Sequence, residues 1–518
     1  MTPPPTSPAQ PTPPPTPPPV SPAALPGTLA EAVRGSAARW PDRTAWVFDA
    51  LGESLTFADV ERRSAHLAGV LAARGARPGD RVAVLLRNVP EFPLTWLALA
   101  RLGAAMVPIN VNYRSHDAGH LVRDSGARLL VTTGEFTDLA GLLPVDPIFV
   151  EDLPAAAPAP LDDVRPDDLV NVQYTSGTTG RPKGCMLSHR YWAELAGSLV
   201  TSFPRLGPGD VMLTCQPFHY IDPQWNVAAA LLSGARLVVL DRFHPSSFWA
   251  KVREHEVTYF YCLGLMPTVL LRMPPDPLDR AHRVRAIQCS AIPPALHAAL
   301  EERWGAPWYE AFGMTETGAD LRVSEEDHDA ALGTGCIGRP LPHREVKIVD
   351  AEGKPVPPGE TGELALRGSG LMRGYLGLPD PFRDGWFHTG DLVRQDAEGR
   401  VYYMGRLKDM IRRSGENISA AEVEEVLHQH PEVRVAAVVP VADELRGEEV
   451  KAYVVPRAAE PDPEELARFC AERLAYFKVP RYWQFRTQLP MTASERVSKG
   501  GLPRERAGAY DSVDKVWR

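Results

Sequence analysis

The densest chemistry in this sequence lies in one short run, Tyr174-Thr-Ser-Gly-Thr-Thr-Gly-Arg-Pro-Lys-Gly184. It holds three glycines (Gly177, Gly180, Gly184), four hydroxyls (Thr175, Ser176, Thr178, Thr179) and one lysine, Lys183. Glycines admit a ligand close to the backbone and permit positive φ, so amide and hydroxyl groups can ring a phosphate chain. The glycine spacing is not that of a Walker loop. The expectation is a polyphosphate-binding loop of another kind, in which Lys183 either neutralises phosphate charge or solvates the loop.

Such a loop needs a strand to deliver it, and the apolar residues 169–173 supply one. Helix-like runs at 28–39, 56–74 and 89–102 alternate with short β-branched or apolar runs at 81–86, 105–109 and 128–132. The alternation recurs at 236–240, 258–262 and 284–289, which predicts an α/β class with parallel sheet. Between 344 and 367 short strands separated by turns predict a small all-β subdomain. After Gly405 comes a separable α+β piece. Ser419 and Glu422 predict a capping box for a helix over 420–430, followed by strands at 434–439 and 451–455 and a helix near 463–474. The expected organisation is a Pro-rich disordered tail (1–27), a large N-terminal α/β domain with a small β subdomain (28–405), and a smaller, mobile α+β C-terminal domain (406–518).

Composition narrows the function. Of 518 residues, 56 are basic and 65 acidic, a net charge of −9 with no basic stripe, which argues against a nucleic-acid partner. The six cysteines form no CxxC pair and no zinc-like spacing, so neither a disulfide framework nor a structural metal is expected, and a reducing, cytoplasmic setting is. The longest apolar run, 94–109, is broken by Arg101, so no membrane span is expected. Thirteen of the 52 prolines fall within residues 1–26, a composition that cannot bury enough surface to fold. Only nine lysines stand against 47 arginines, so each lysine carries more information than usual.

Five ordered motifs carry a family resemblance. The 174–184 run resembles the phosphate-binding signature of the adenylate-forming (AMP-binding) superfamily, which includes acyl-CoA synthetases, luciferase and peptide-synthetase adenylation domains. Tyr309-Glu-Ala-Phe-Gly-Met-Thr-Glu-Thr317, Trp386-Phe-His-Thr-Gly-Asp391, the 405–418 segment and Gly-Ala-Ala-Met-Val-Pro-Ile-Asn at 103–110 resemble its other motifs. The resemblance implies that Thr175, Ser176, Gly177, Thr178, Thr179 and Lys183 serve the ATP phosphates. It further implies that Phe312 stacks on adenine, Thr315 contacts the α-phosphate, Glu316 binds Mg2+, and Asp391 and Arg406 hold the ribose hydroxyls. A carboxylate suits a hard cation that bridges phosphates. The implied reaction has two steps: an acid attacks ATP to give an acyl-adenylate and pyrophosphate, then a thiol displaces AMP. Between them the small domain rotates about Lys408, and the loop at Ser414, Gly415 and Glu416 lines the path of coenzyme A. His219 is expected beside the substrate carboxylate. The acyl pocket is expected around His219, Ala291, Tyr309, Ala311, Gly313 and Met314, groups suited to a hydrophobic acid lacking an α-amino group.

One motif departs from the pattern. Where the family reads close to Ser-Gly-Lys-Ile-x-Lys, this chain has Ser494-Glu-Arg-Val-Ser-Lys499, so Arg496 replaces the catalytic lysine and Lys499 matches a later one. Arginine keeps the charge but presents a broad planar fork in place of a compact ammonium. Two readings stay open. In one, the chain is an ordinary acyl-CoA ligase; in the other, adenylation is crippled and the acyl-adenylate comes from a partner adenylating ligase. A carrier-protein loading ligase, a non-catalytic acyl-adenylate-binding protein and a luciferase-like oxygenase are the remaining alternatives.

Overall fold

A computed structural model describes residues 21, 25–154, 156–159, 163–175, 182–414, 416–491 and 497–518, with 416 and 417 as backbone only. Most of the Pro-rich stretch therefore lies outside the described residues, as do Ser176, Gly177, Thr178, Thr179, Gly415 and Arg496.

The large part is a mixed α/β body. One six-stranded sheet orders Asp146–Phe149, Leu129–Thr132, Arg81–Leu85, Ala105–Pro108, Leu169–Thr175 and Lys183–Ser188, parallel except for the final hairpin. A second sheet of fourteen strands has a parallel centre: Arg236–Val239, Val211–Thr214, Tyr259–Leu263, Ala286–Ser290 and Trp308–Met314. The expected β subdomain is real, but it is not a detached sheet. Its strands, among them Arg344–Val349, Thr361–Gly368, Trp386–Gln395 and Val401–Arg406, continue the second sheet antiparallel through Cys336–Pro340 and Gly318–Arg322.

Helices cover these sheets because their apolar residues recur on one face. Leu29–Arg39 starts from Thr28, which makes a full capping box with Glu31. His189–Thr201 and Ile221–Ser233 bury Trp192, Leu195, Trp225 and Val227 in the main core, where Trp96 and Trp192 meet edge to face at 4.8 Å. All six cysteines are free and buried. Among the described residues no helix is long and apolar enough to cross a membrane.

The smaller C-terminal part has its own sheet and core. Ala420–His428 and Pro463–Ala471 pack Val423, Leu427 and Leu466 against Val438, Val454 and Trp483. The expected capping box at Ser419 is only half formed. Ser419 Oγ accepts from the Glu422 amide, but the Glu422 carboxylate is taken by Lys478 Nζ at 2.6 Å. The Ser419 hydroxyl instead donates to the Met404 carbonyl at 2.6 Å, tying the small part to the large one. Gly405, between them, has φ +125°, and a Cβ there would stand 2.8 Å from Ser419 Oγ.

Candidate active site

The hairpin that carries the phosphate-loop motif closes with Thr175 opposite Lys183. Tyr375 lies beside it, bridged through its backbone to Cys185. Lys183 Nζ sits 5.1 Å above the Tyr375 ring, and the Tyr375 hydroxyl donates to Glu316 Oε1 at 3.0 Å. One aromatic ring thus brings together a lysine and a carboxylate that are 133 positions apart in sequence. Burial, and then the Glu316 charge, push the Tyr375 hydroxyl well up, so it stays a donor. Glu316 has no salt-bridge partner among the described residues; its side chain accepts from this neutral phenol. A half-buried carboxylate not already neutralised by a cation fits a Mg2+ ligand, and a metal held there would draw charge from bridged phosphates.

Thr315 and Glu316 occupy the turn between Trp308–Met314 and Gly318–Arg322, closed by the Thr317 amide on the Met314 carbonyl at 3.1 Å. Glycine is required at 313: a Cβ there would stand 1.9 Å from the Gly318 carbonyl oxygen. Phe312 is half-buried, its ring 6.5 Å from that of Tyr403.

Asp391 and Arg406 face one another across an antiparallel ladder, with Arg406 Nε 2.8 Å from Asp391 Oδ1. The carboxylate is 1% exposed and the guanidinium 31%, so the pair opens to solvent on the arginine side. The loop before Asp391 is pinned by Thr389, whose hydroxyl donates to the Leu364 carbonyl and accepts from the Asp391 amide.

His219 is buried, and neither ring nitrogen has a hydrogen-bond partner among the described residues. Burial pulls its pKa down to about 3, so the imidazole is neutral. Its backbone is fixed by a buried amide chain. Trp96 Nε1 donates to Asn171 Oδ1 (2.6 Å), and Asn171 Nδ2 to Gln224 Oε1 (2.9 Å). Gln224 Nε2 donates to the Phe218 carbonyl (2.8 Å), and Gln173 Nε2 to the His219 carbonyl (2.6 Å). Gln173 lies two residues before Thr175, so the phosphate-loop strand and His219 share one frame. Nothing in local sequence marks Asn171, Gln173 and Gln224 as partners; only the fold makes them neighbours.

Ala291 adopts φ +70°, and the Glu310 carboxylate accepts from the amides of both Ala291 and Ile292, at 2.5 and 2.7 Å. Left-handed backbone at a non-glycine residue costs about 1–2 kcal/mol, which these charge-assisted bonds offset.

A cavity of about 70 Å³ opens alongside the same strand. Ala311, Phe312 and Gly313 line it, as do Leu199, Ile221, Asp222, Trp225, Tyr261, Gln288 and Arg322. Of the six residues expected to form an acyl pocket, Ala311 and Gly313 are on its wall. His219, Ala291, Tyr309 and Met314 are not, and the Tyr309 ring packs instead against Phe203 (4.4 Å) and His328 (4.9 Å). By strand alternation Tyr309 shares a face with Ala311, so it is this packing, and not the face of the strand, that engages its ring elsewhere. Helix Ile221–Ser233, which adds Ile221, Asp222 and Trp225 to this wall, was not among the elements read from the sequence.

On the C-terminal side, Lys408 is exposed in the short turn Leu407–Asp409 that joins the two parts. Lys499 Nζ lies 2.7 Å from Glu424 Oε1 and 3.8 Å from Asp409 Oδ2. The structure therefore ties Lys499 to the joining turn, while Glu316 and Asp391 keep other partners. Ser414 has φ +52°, and its neighbour Glu416 begins the strand Glu416–Ser419.

A large α/β body, a hairpin that carries the 174–184 motif, a cavity beside Trp308–Met314 and a smaller C-terminal α+β domain define an adenylate-forming enzyme fold. Family comparison agrees: residues 33–376 match the AMP-binding enzyme model and 422–496 the AMP-binding enzyme C-terminal domain. The chain belongs to the AMP-binding enzyme family. It is 34% identical to a feruloyl-CoA synthase from Amycolatopsis sp., over 88% of this chain and 94% of that protein. It is 32% identical to a crotonobetaine/carnitine–CoA ligase from Salmonella arizonae, over 90% and 97%. Among solved structures, the o-succinylbenzoate CoA synthetase of Bacillus subtilis bound to its acyl-adenylate superposes with a TM-score of 0.85 at 30% identity, covering 92% of this chain and 99% of that one. The same enzyme with ATP and magnesium gives 0.84 at 30% identity, covering 91% and 99%.

Proposed function

We propose that this chain is an AMP-forming acyl-CoA ligase that activates a carboxylic acid as its acyl-adenylate and transfers the acyl group to coenzyme A. The observation that carries this reading is the shared strand Trp308–Met314. Its Ala311–Gly313 stretch walls the cavity, and the turn that follows presents Thr315 and Glu316. An acid seated in the cavity would meet the nucleotide without any further element. Two relatives that are CoA ligases support the reading, as do the solved structures of o-succinylbenzoate CoA synthetase that hold an acyl-adenylate or ATP with magnesium.

In this mechanism the acid's carboxylate oxygen attacks the α-phosphorus, and the bond to pyrophosphate breaks. Glu316 would hold Mg2+, which when bound would supply positive charge to the phosphates. Asp391, acting as acceptor, and Arg406 hold the ribose hydroxyls, with Phe312 beside the adenine. The neutral His219 ring lines the approach without adding charge. The domain formed by 406–518 then turns about Lys408, so that the 414–416 loop guides the thiol to the acyl carbon and AMP departs.

A second reading rests on Glu495 and Arg496. Where a lysine would bridge the carboxylate and the α-phosphate, a fork-shaped cation with an acid beside it weakens adenylation, and a partner ligase supplies the acyl-adenylate. Loss of one electrostatic donor of this kind is worth roughly 3–4 kcal/mol, about 10²–10³ in rate. Separate half-reactions decide between the two: pyrophosphate release from ATP plus acid, against thioester formation from synthetic acyl-adenylate plus CoA. Fast pyrophosphate release removes the second reading; slow release restored by Arg496→Lys supports it. Absence of thioester in both assays, with CoA or a carrier-protein thiol, overturns the ligase itself.

A further inference from the structure

Arg344 and Asp320 form an ion pair inside the large domain, with Arg344 Nε 2.7 Å from Asp320 Oδ1 and the two side chains 1% and 0% exposed. A buried pair of this kind adds little stability over apolar groups of the same size, so its value lies in what else it holds. The other Asp320 oxygen accepts from the Thr317 hydroxyl. One terminal nitrogen of Arg344 donates to the Ser369 carbonyl. The other donates to the Thr317 carbonyl and, at 3.5 Å, to that of Gly370.

Those carbonyls belong to the two segments that meet at Glu316. Thr317 closes the turn that presents Thr315 and Glu316. Arg344 opens the strand Arg344–Val349 opposite Gly368, and residues 369–376 run on from there as a strap. The Met372 amide donates to the Glu316 carbonyl at 2.9 Å, and the Tyr375 hydroxyl donates to its carboxylate at 3.0 Å. The same strap is laced to the strand Lys183–Ser188. The Arg373 amide donates to the Met186 carbonyl (2.8 Å), the Met186 amide to the Gly374 carbonyl (3.0 Å), and the Leu376 amide to the Gly184 carbonyl (2.8 Å). Glu316 is thus fastened to the phosphate hairpin through a strap whose first residues hang on Arg344.

A guanidinium presents its donors in a fixed plane and so sets two backbone segments at one spacing; an ammonium on a flexible stem does not. Groups that hold a metal ligand in place govern metal affinity without touching the metal.

We propose that Arg344, backed by Asp320, is a positioning residue for Mg2+ binding: it fixes the spacing between the Glu316 turn and the 369–376 strap, and with it the Glu316 carboxylate against the phosphate hairpin. This rests on the ligase reading above, in which Glu316 holds the metal.

Nucleotide binding tests this without requiring turnover. Calorimetry on the full chain measures α,β-methylene-ATP with excess Mg2+ and with a chelator, and AMP as a ligand that lacks the β- and γ-phosphates. The unaltered protein is expected to bind the triphosphate more tightly with Mg2+ than without. Arg344→Lys keeps the charge beside Asp320 but loses the fork. It is expected to cut the Mg2+ gain about 10-fold while AMP affinity stays within about 3-fold. The double variant Asp320→Asn/Arg344→Met, which buries no charge, is expected to behave alike and serves if the first does not fold. An unchanged Mg2+ gain in a folded variant overturns the inference and leaves the ligase reading intact, as does an equal loss for AMP. Failure of both variants to fold assigns the pair a purely structural role and overturns the inference too. Absence of any Mg2+ gain in the unaltered protein overturns the nucleotide site of the ligase reading, and the inference with it.

Discussion

The two sides of the candidate site are built differently. On the large domain, Asp391 is buried against Arg406, His219 is locked by an amide chain, and Glu316 is held by Tyr375. Each of these groups is fixed by sheet register or by neutral hydrogen bonds in the core. On the C-terminal side, the corresponding charges form a cluster around the joining turn: Lys499 with Glu424 and Asp409, and Glu422 with Lys478. Preorganised dipoles serve a step in which charge develops, because they need no reorganisation at that moment. Lys499 and Glu424 are both mostly buried, so parting them would strand a charge, whereas Glu422 with Lys478 is more exposed and cheaper to separate. The comparison teaches that the large domain fixes its polar groups by sheet register and core hydrogen bonds, and the small one gathers its charges at the joining turn.

The contrast can be broken most severely at Asp391. Asp391→Ala removes the buried acceptor and leaves Arg406 without its partner; a loss of about 2–4 kcal/mol, or 30- to 1000-fold in kcat/KM for ATP, is expected. Thioester formation from preformed acyl-adenylate should fall less, and equal losses would contradict the assignment. Lys499→Met probes the other side. Burial already raises the Glu424 pKa, with Lys499 opposing it, so the variant raises it further. Between the ordinary carboxylate value and that raised pKa the folded state binds more protons than the unfolded one, so stability falls as pH rises. The variant should be about 1–3 kcal/mol less stable at neutral pH and recover as pH drops through the Glu424 pKa, read by chemical denaturation at several pH values.

Gln224→Leu cuts the amide chain behind His219 and strands buried partners. A cost of about 1–3 kcal/mol in stability is expected, with a larger fractional change in KM for the acid than in KM for ATP. The buried neutral histidines sharpen the picture further. His219 is held to about 3, and His189 and His343 to about 4, each by burial. The unfolded chain takes up these protons first as pH falls below about 6.5, so stability is full above that value and declines below it, by up to about 1.4 kcal/mol per pH unit for each histidine. His219→Gln should shallow that slope, measured as unfolding free energy from pH 6.5 to 4.5. Smallest is Ala291→Gly, which relieves the left-handed backbone but loosens the unfolded chain; a gain of about 0.5–1 kcal/mol is expected in thermal unfolding.

Much of this molecule was legible before its structure. The 28–39 helix needed only Thr28, Glu31 and an apolar stripe, and the strand into Thr175 needed only the apolar run 169–173; its return strand from Lys183 came only with the structure. Where local sequence was read too far, a tertiary partner had intervened: Glu422 left its capping box because Lys478 offered a charge. Tyr309 shares a strand face with Ala311, yet its ring is engaged by Phe203 and His328, partners that no local pattern announces. Arg496 remains a sequence observation, since it lies outside the described residues.

By itself, the sequence determined the class of fold, the order of its domains and the motifs that point to nucleotide and acid, because periodicity, caps and turn residues act over a few positions. Tertiary structure alone decided which distant side chains meet. Tyr375 came to rest between Lys183 and Glu316, and Gln173 against the His219 carbonyl. Those pairings follow from strand order and from the cost of burying unpartnered polar groups, which are properties of the packed chain and not of any segment read alone.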